Sequence, residues 1–86
     1  MEKEKIGKVF KYFAQVQVAA IELTDGTLTI GETLQFQGPS TDFTQKIESM
    51  QIEKTSLTKA EKGQSVGLKV SDRVREGDLV FRVKLP

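Results

Sequence analysis

The feature that most limits what this chain can become is a period of two. From Ser65 to Ser71 the apolar residues Val66, Leu68 and Val70 alternate strictly with small or polar neighbours. Leu34 and Phe36 alternate with Thr33, Gln35 and Gln37, and Val16 and Val18 with Gln15 and Gln17. Leu79, Phe81, Val83 and Leu85 alternate with Val80, Arg82 and Lys84. A strand sends successive side chains to opposite faces, so this pattern predicts strands with one face on a core and the other toward water. A chain of 86 residues has room for one core. The expected organisation is one β-barrel domain over 1–86, with the charged segment 1–5 as a mobile N-terminus.

Two segments change phase. Val16 and Val18 fall on one face, Ile21 and Leu23 on the other, and Ile47 is out of step with Met50 and Ile52. One extra residue in an antiparallel strand shifts the phase, which predicts bulges near Ala19-Ala20 and near Glu48-Ser49. Turn signals separate the runs: Thr24-Asp25-Gly26, Gly38-Pro39-Ser40-Thr41-Asp42, Glu61-Lys62-Gly63-Gln64 and Arg75-Glu76-Gly77-Asp78. Asp25-Gly26 reads as a hairpin turn joining the second strand to Leu28 and Ile30. The one helical candidate is a single turn within Ser56–Lys62, where Thr58 and Glu61 have capping-box spacing and Gly63 stops the segment. The fold class this predicts is all-β: a small, closed, six- to seven-stranded antiparallel barrel, Greek-key-like, since closure hides the sheet edges that otherwise invite aggregation.

Composition removes most chemistry. The chain has no Cys, His, Asn or Trp. That excludes disulfides, thiolate metal sites, Cys nucleophiles, N-glycosylation and the commonest general base and zinc ligand. The phosphate-cradling motif of nucleotide hydrolases is absent: Gly7-Lys8 is followed by Val9, and Glu2 stands five residues before Gly7. Asp72, Glu76 and Asp78 gather around one turn, but Arg73 and Arg75 interleave them and their spacing is not that of a calcium loop. They read as an exposed, self-compensating turn. The expectation is a non-enzyme with no catalytic residues, no metal and no cofactor. The longest apolar run, Val18-Ala19-Ala20-Ile21, is far short of the roughly 20 residues of a membrane helix. With no export signal at Met1-Glu2-Lys3-Glu4-Lys5, the expected location is the cytoplasm.

The formal net charge is only +1, unevenly spread. Residues 1–11 hold four Lys against two Glu, and 69–86 hold five basic against three acidic residues, so each end is +2. A basic patch where the ends meet would present Lys8, Lys11, Lys69, Arg73 and Arg75 as candidate phosphate contacts to RNA. Tyr12 with Phe10 or Phe13, between lysines, is the spot most like a base-stacking platform. Core packing of at least two of these three aromatics is the competing expectation. A protein-docking role would instead show an exposed apolar patch, for which Val74 and Val80, out of phase with the charged residues near them, are candidates.

Three segments resemble the second, β-barrel domain of translational GTPases of the elongation factor Tu kind. They are Thr24-Asp25-Gly26-Thr27-Leu28-Thr29-Ile30-Gly31-Glu32-Thr33-Leu34-Gln35-Phe36, Ala60-Glu61-Lys62-Gly63-Gln64-Ser65-Val66-Gly67-Leu68 and Val74-Arg75-Glu76-Gly77-Asp78-Leu79-Val80. The resemblance implies a barrel of the translation-factor domain-2 type, acting as a stand-alone module that contacts RNA, the ribosome or a translation-related protein. Within it, Gly26, Gly63 and Gly77 are expected at turns needing positive φ, and Gly31 and Gly67 where backbones pack closely. Gly31-Glu32, Gly38-Pro39 and Phe43 are also similar to the barrel at the C-terminus of some collagenase-like peptidases and related RNA-modification proteins. That second resemblance implies an accessory barrel that does no chemistry, serving a separately encoded enzyme or pairing with a second copy of itself.

Overall fold

The computed structural model describes residues 2–52 and 55–84. It is all-β and antiparallel, with ten strands: β1 (Glu2–Phe13), β2 (Val18–Leu23), β3 (Leu28–Thr29), β4 (Thr33–Gly38), β5 (Thr41–Lys46), β6 (Met50–Ile52), β7 (Thr55–Leu57), β8 (Lys59–Ala60), β9 (Ser65–Lys69) and β10 (Leu79–Lys84). Eight form one sheet in the order β5-β4-β10-β1-β2-β9-β6-β7, and β3 pairs with β8 in a second. Leu34 and Phe36 near one end of the large sheet share a core with Met50 near the other, so the sheet curls around one apolar centre. Among the described residues no helix is long and apolar enough to cross a membrane.

The expected closed barrel is not what forms. The strand order ends at β5 and β7, and no ladder joins the two ends. The cause lies just after β5. At Ile47 the chain leaves the sheet and turns its side chain into the core, 1% exposed. Its backbone pairs with a loop instead: Ile47 N donates to Glu32 O at 2.9 Å, and Gly31 N donates to Ile47 O at 2.8 Å. Two residues earlier, Gln45 does the work of a missing strand. Its Nε2 donates to Lys69 O and its Oε1 accepts from Ser71 N, both at 2.7 Å. A carboxamide has the same donor and acceptor as a peptide group, so one side chain satisfies two strand-edge groups that would otherwise be unpaired. The gap is a seam sealed by a side chain and loops.

The phase shifts also resolve differently from expectation. Within β2 burial alternates without fault, with Ala19, Ile21 and Leu23 inward and Val18 outward. The bulge predicted near Ala19-Ala20 lies across the ladder in β1, where Val9 pairs with Ile21 and Lys11 with Ala20, leaving Phe10 extra. A second irregularity falls between Lys5 and Gly7 against β10. Near Glu48-Ser49 the strand simply stops. No hairpin forms at Asp25-Gly26: Thr24 N and Asp25 N both donate to Ile6 O, and Leu28 pairs with Ala60. The expected helical turn in Ser56–Lys62 is replaced by β7 and β8. The segment read as a mobile terminus is strand from Glu2, with Glu2–Lys5 paired against Phe81–Lys84; Met1 and Leu85 lie outside the described residues. Gly31, Gly63 and Gly77 take φ of 98°, 95° and 91°, which a side chain would strain.

Candidate functional site

β1 runs through the middle of the sheet and carries the groups that matter. Val9 is buried, while Lys8, Phe10, Lys11 and Phe13 are exposed. The bulge explains this cluster. With Phe10 extra, both Phe10 and Lys11 stay outside before Tyr12 resumes the inward phase and packs against the core. Phe10 is 46% and Phe13 44% exposed, so the expectation that at least two of the three aromatics would be core fails at the bulge.

Neighbouring strands extend the surface. Lys8 pairs with Leu79 of β10 on one side and Glu22 of β2 on the other. Phe13 pairs with Val18, and Val18 with Lys69 of β9. Beside this row Gly67 leaves space for Val18, whose Cγ1 would lie 3.3 Å from a Cβ there. The β1–β2 turn adds Val16, 55% exposed, and holds Gln17 at φ 56°. The large hydrophobics exposed among the described residues are thus Leu79, Phe10, Phe13 and Val16, and all lie on β1, its hairpin turn or the strand beside it.

Of the five sequence-predicted basic residues, Lys8, Lys11 and Lys69 lie in register beside this stripe. Lys8 and Lys11 are on β1 and Lys69 faces Val18. Arg73 and Arg75 sit in the 70–78 loop, which is tied to β1 and its turn at both ends. Val70 N donates to Gln17 O at 2.9 Å, Gly77 N to Val9 O at 2.8 Å, and Val9 N to Asp78 O at 2.8 Å. Lys8 Nζ stands 4.0 Å from Glu22, and Lys11 Nζ lies 5.1 Å from the centre of the Phe13 ring. Among the described residues Lys11, Lys69, Arg73 and Arg75 have no ion-pair partner.

The apolar candidates taken from sequence were the wrong ones. Val74 and Val80 are core, 1% and 0% exposed. Val80 pairs with Phe36 and Arg82 with Leu34, so the first part of β10 turns inward the face that its alternation assigned to solvent and Leu79 points out, while Val83 is buried as the alternation expects. Arg82 is accommodated there because it is nearly surrounded by acceptors. Its guanidinium donates to Thr27 O at 2.8 Å and Glu4 Oε1 at 2.6 Å, with Glu32 Oε2 at 3.5 Å. Asp78 is not part of an exposed turn either. It is 2% exposed, its Oδ2 accepts from Arg75 N at 2.8 Å, and its Oδ1 presses on Gly38. That is a loop-closing role. Two open clefts, one lined by Glu2, Lys3, Glu4 and Lys84 and one at the seam beside Gln45, Lys46 and Lys69, hold no buried nucleophile. Among the described residues no group of three or more Asp, Glu, His or Cys could hold a metal ion.

Known proteins resemble this arrangement over almost its whole length. The chain is 37% identical over 82 residues to a collagenase of Porphyromonas gingivalis, covering 94% of this chain and 23% of that protein. It is 40% identical over 83 residues to an uncharacterized protease of Methanocaldococcus jannaschii, covering 95% of this chain and 20% of that protein. The fold matches two crystal structures of the C-terminal domain of a U32 peptidase of Geobacillus thermoleovorans. One has TM-score 0.87 and 25% identity, covering 94% of this chain and 93% of that domain; the other has 0.83 and 26%, covering 90% and 96%. No family model matches the chain.

The chain therefore spans about a fifth of the length of its curated relatives. These comparisons overturn the translational-GTPase resemblance, since they point to peptidase-type proteins and not to an elongation factor barrel. The segments that carried that resemblance owe their pattern to geometry: Gly31, Gly63 and Gly77 make positive-φ turns, and Val66 and Leu68 fill the core. Any small, curled β-domain needs such residues at such spacings. The residues similar to the peptidase barrel have structural jobs as well. Glu32 Oε1 accepts from Thr29 N at 2.6 Å and Phe43 stacks on Phe36 with ring centres 5.0 Å apart.

Proposed function

We propose that the chain is a non-catalytic accessory β-domain of a peptidase-type protein and works by contacting protein rather than by chemistry of its own. The observation that carries this reading is the asymmetry of coverage. Nearly all of this chain aligns with a fifth-sized part of larger proteins named as proteases, and its fold neighbour is a C-terminal domain. The site is consistent with it: the exposed aromatics and lysines of β1 suit binding, and the one deeply buried carboxylate among the described residues, Asp78, is spent on closing a loop. RNA or ribosome contact finds no support among the relatives.

The test is a graft. In the Porphyromonas gingivalis collagenase the 82-residue matching part is deleted, or replaced by this chain, and turnover of a fluorescent gelatin is measured. The deletion is expected to lose activity, the graft to recover part of it, and the isolated chain to cleave nothing. Cleavage by the isolated chain, or a graft no better than the deletion, overturns the reading.

A further inference from the structure

Resting on that reading, we propose that the outer face of β1 is the docking surface, and that it takes a protein surface apolar at its centre and acidic at its rim. The centre is the stripe Leu79, Phe10, Phe13 and Val16. Given the size of these side chains and their fractional exposure, it offers on the order of 300 Å² of apolar area. That is the size of the largest apolar patch on an ordinary monomer, where such patches are often functional. The rim is basic. Lys11 and Lys69 flank Phe13 along the Phe13–Val18–Lys69 row, and Lys8 lies level with Leu79. Among the described residues Glu22, in register with Lys8, is already beside it.

Charge decides between the occupants. A second copy of this chain placed face to face would set Lys8, Lys11 and Lys69 against their own kind, a repulsion that costs association dearly. The stripe is also small beside the roughly 1,000 Å² or more per partner that a permanent homodimer buries. Single-stranded RNA would welcome the lysines but not the stripe. Val16 and Leu79 offer no ring on which a base can stack and the Phe13 ring already carries Lys11 at 5.1 Å, which leaves Phe10 alone where a single-strand platform uses successive rings. An acidic protein surface with a protruding apolar residue satisfies both halves: the stripe buries the apolar group and the lysines steer and select it.

The face is rigidly held. Its two phenylalanines sit on a strand held by β2 through Lys11–Phe13 and by β10 through Glu2–Lys8, with the bulge fixing Phe10 outward between the two ladders. Binding therefore needs little reorganisation, and the side chains rather than the backbone are what a variant changes.

The experiment uses the whole chain and two variants, F10S/F13S and K11E/K69E, all at exposed positions, with K59E/K62E on other strands and turns as control. The probe is a phage-displayed library of random 16-residue peptides, and fluorescein-labelled 15-residue poly(U) RNA is run in parallel. Recovered peptides are expected to combine large apolar residues with a net negative charge. Their affinity should fall at least about tenfold for F10S/F13S, as for a central anchor. For K11E/K69E it should fall with a flattened salt dependence, and K59E/K62E should match the parent. Amide NMR shifts should move at Phe10–Phe13 and Gly67–Lys69. Recovery of no peptides, peptides that bind both variants as well as the parent, shifts elsewhere, or poly(U) bound in preference overturns the proposal. A working graft with a silent β1 face keeps the accessory-domain reading and removes only this surface; a failed graft removes the reading itself.

Discussion

The two halves of the molecule bury their side chains equally well and tie their backbones very differently. In β4-β10-β1-β2-β9 each strand is paired with its neighbours over five or six residue positions. In the half from Ile47 to Gln64, β6 meets β9 at two positions and β3 meets β8 at two. Yet Leu28, Ile47, Met50 and Ala60 are as buried as Ile21 or Phe36. Burial of apolar surface sets much of the stability and needs no particular backbone pairing. What the sparse half must solve is where its peptide groups find partners, and it does so with the Gly31–Ile47 and Ile30–Thr58 bonds and short bridges, while Gln45 of β5 serves Lys69 and Ser71 at the seam beside it.

The sharpest way to break this comparison is in the paired half. Phe36→Ala removes a fully buried ring stacked on Phe43. It is expected to cost roughly 3–5 kcal/mol in urea unfolding, a large part of the stability of so small a domain. In the sealed half, Gln45→Leu keeps the bulk but strands Lys69 O and Ser71 N. A loss of roughly 0.5–1.5 kcal/mol is expected, since water can reach these exposed groups, with native-state hydrogen exchange rising at Ser71 and Ile47 and staying slow in β1 and β2. Equal acceleration in both halves would show that the seam is not a separate weak unit.

Arg82→Met removes the cation that gathers Thr27, Glu4 and Glu32. Because Glu4 is about half exposed, solvent screens much of this and about 1 kcal/mol is expected from thermal melts. The smallest effect belongs to the docking face: Phe13→Ser should change stability by no more than about 0.5 kcal/mol, since the ring is nearly half in water. A large loss there would mean that the ring stabilises the fold, which would undercut its role as a binding anchor.

Much of the strand content was legible in the alternation. The inward phase of Leu34, Phe36, Val66, Leu68 and Val70 is what the structure shows, because each of those strands is regular and buried on one face. Phase failed where a neighbour decides it. Val80 and Leu79 exchange faces because register with Phe36, not local pattern, fixes β10. The bulge was read onto β2 when it belongs to β1, since a phase slip does not say which partner holds the extra residue. Closure was over-read because nothing in a run of alternating residues tells whether the last strand finds the first; here a glutamine stands in that place. For the candidate site, the lysines were visible as charge, whereas Phe10, Phe13 and Leu79 looked like core until the bulge and the β10 register turned them outward.

One pairing also has a mechanical meaning. Glu2 at the start of β1 lies opposite Lys84 at the end of β10, so the two ends leave the domain side by side, about 5 Å apart at their Cα atoms. Tension applied through flanking polypeptide would load the β1–β10 hydrogen bonds one after another, like a zip, instead of shearing them together. The first rupture would part Glu2–Lys8 of β1 from β10, while β2 still holds Lys11–Phe13. Under load the domain would begin to open at Ile6, inside its core, while the end of β1 that bears Phe10 and Phe13 kept its backing on β2.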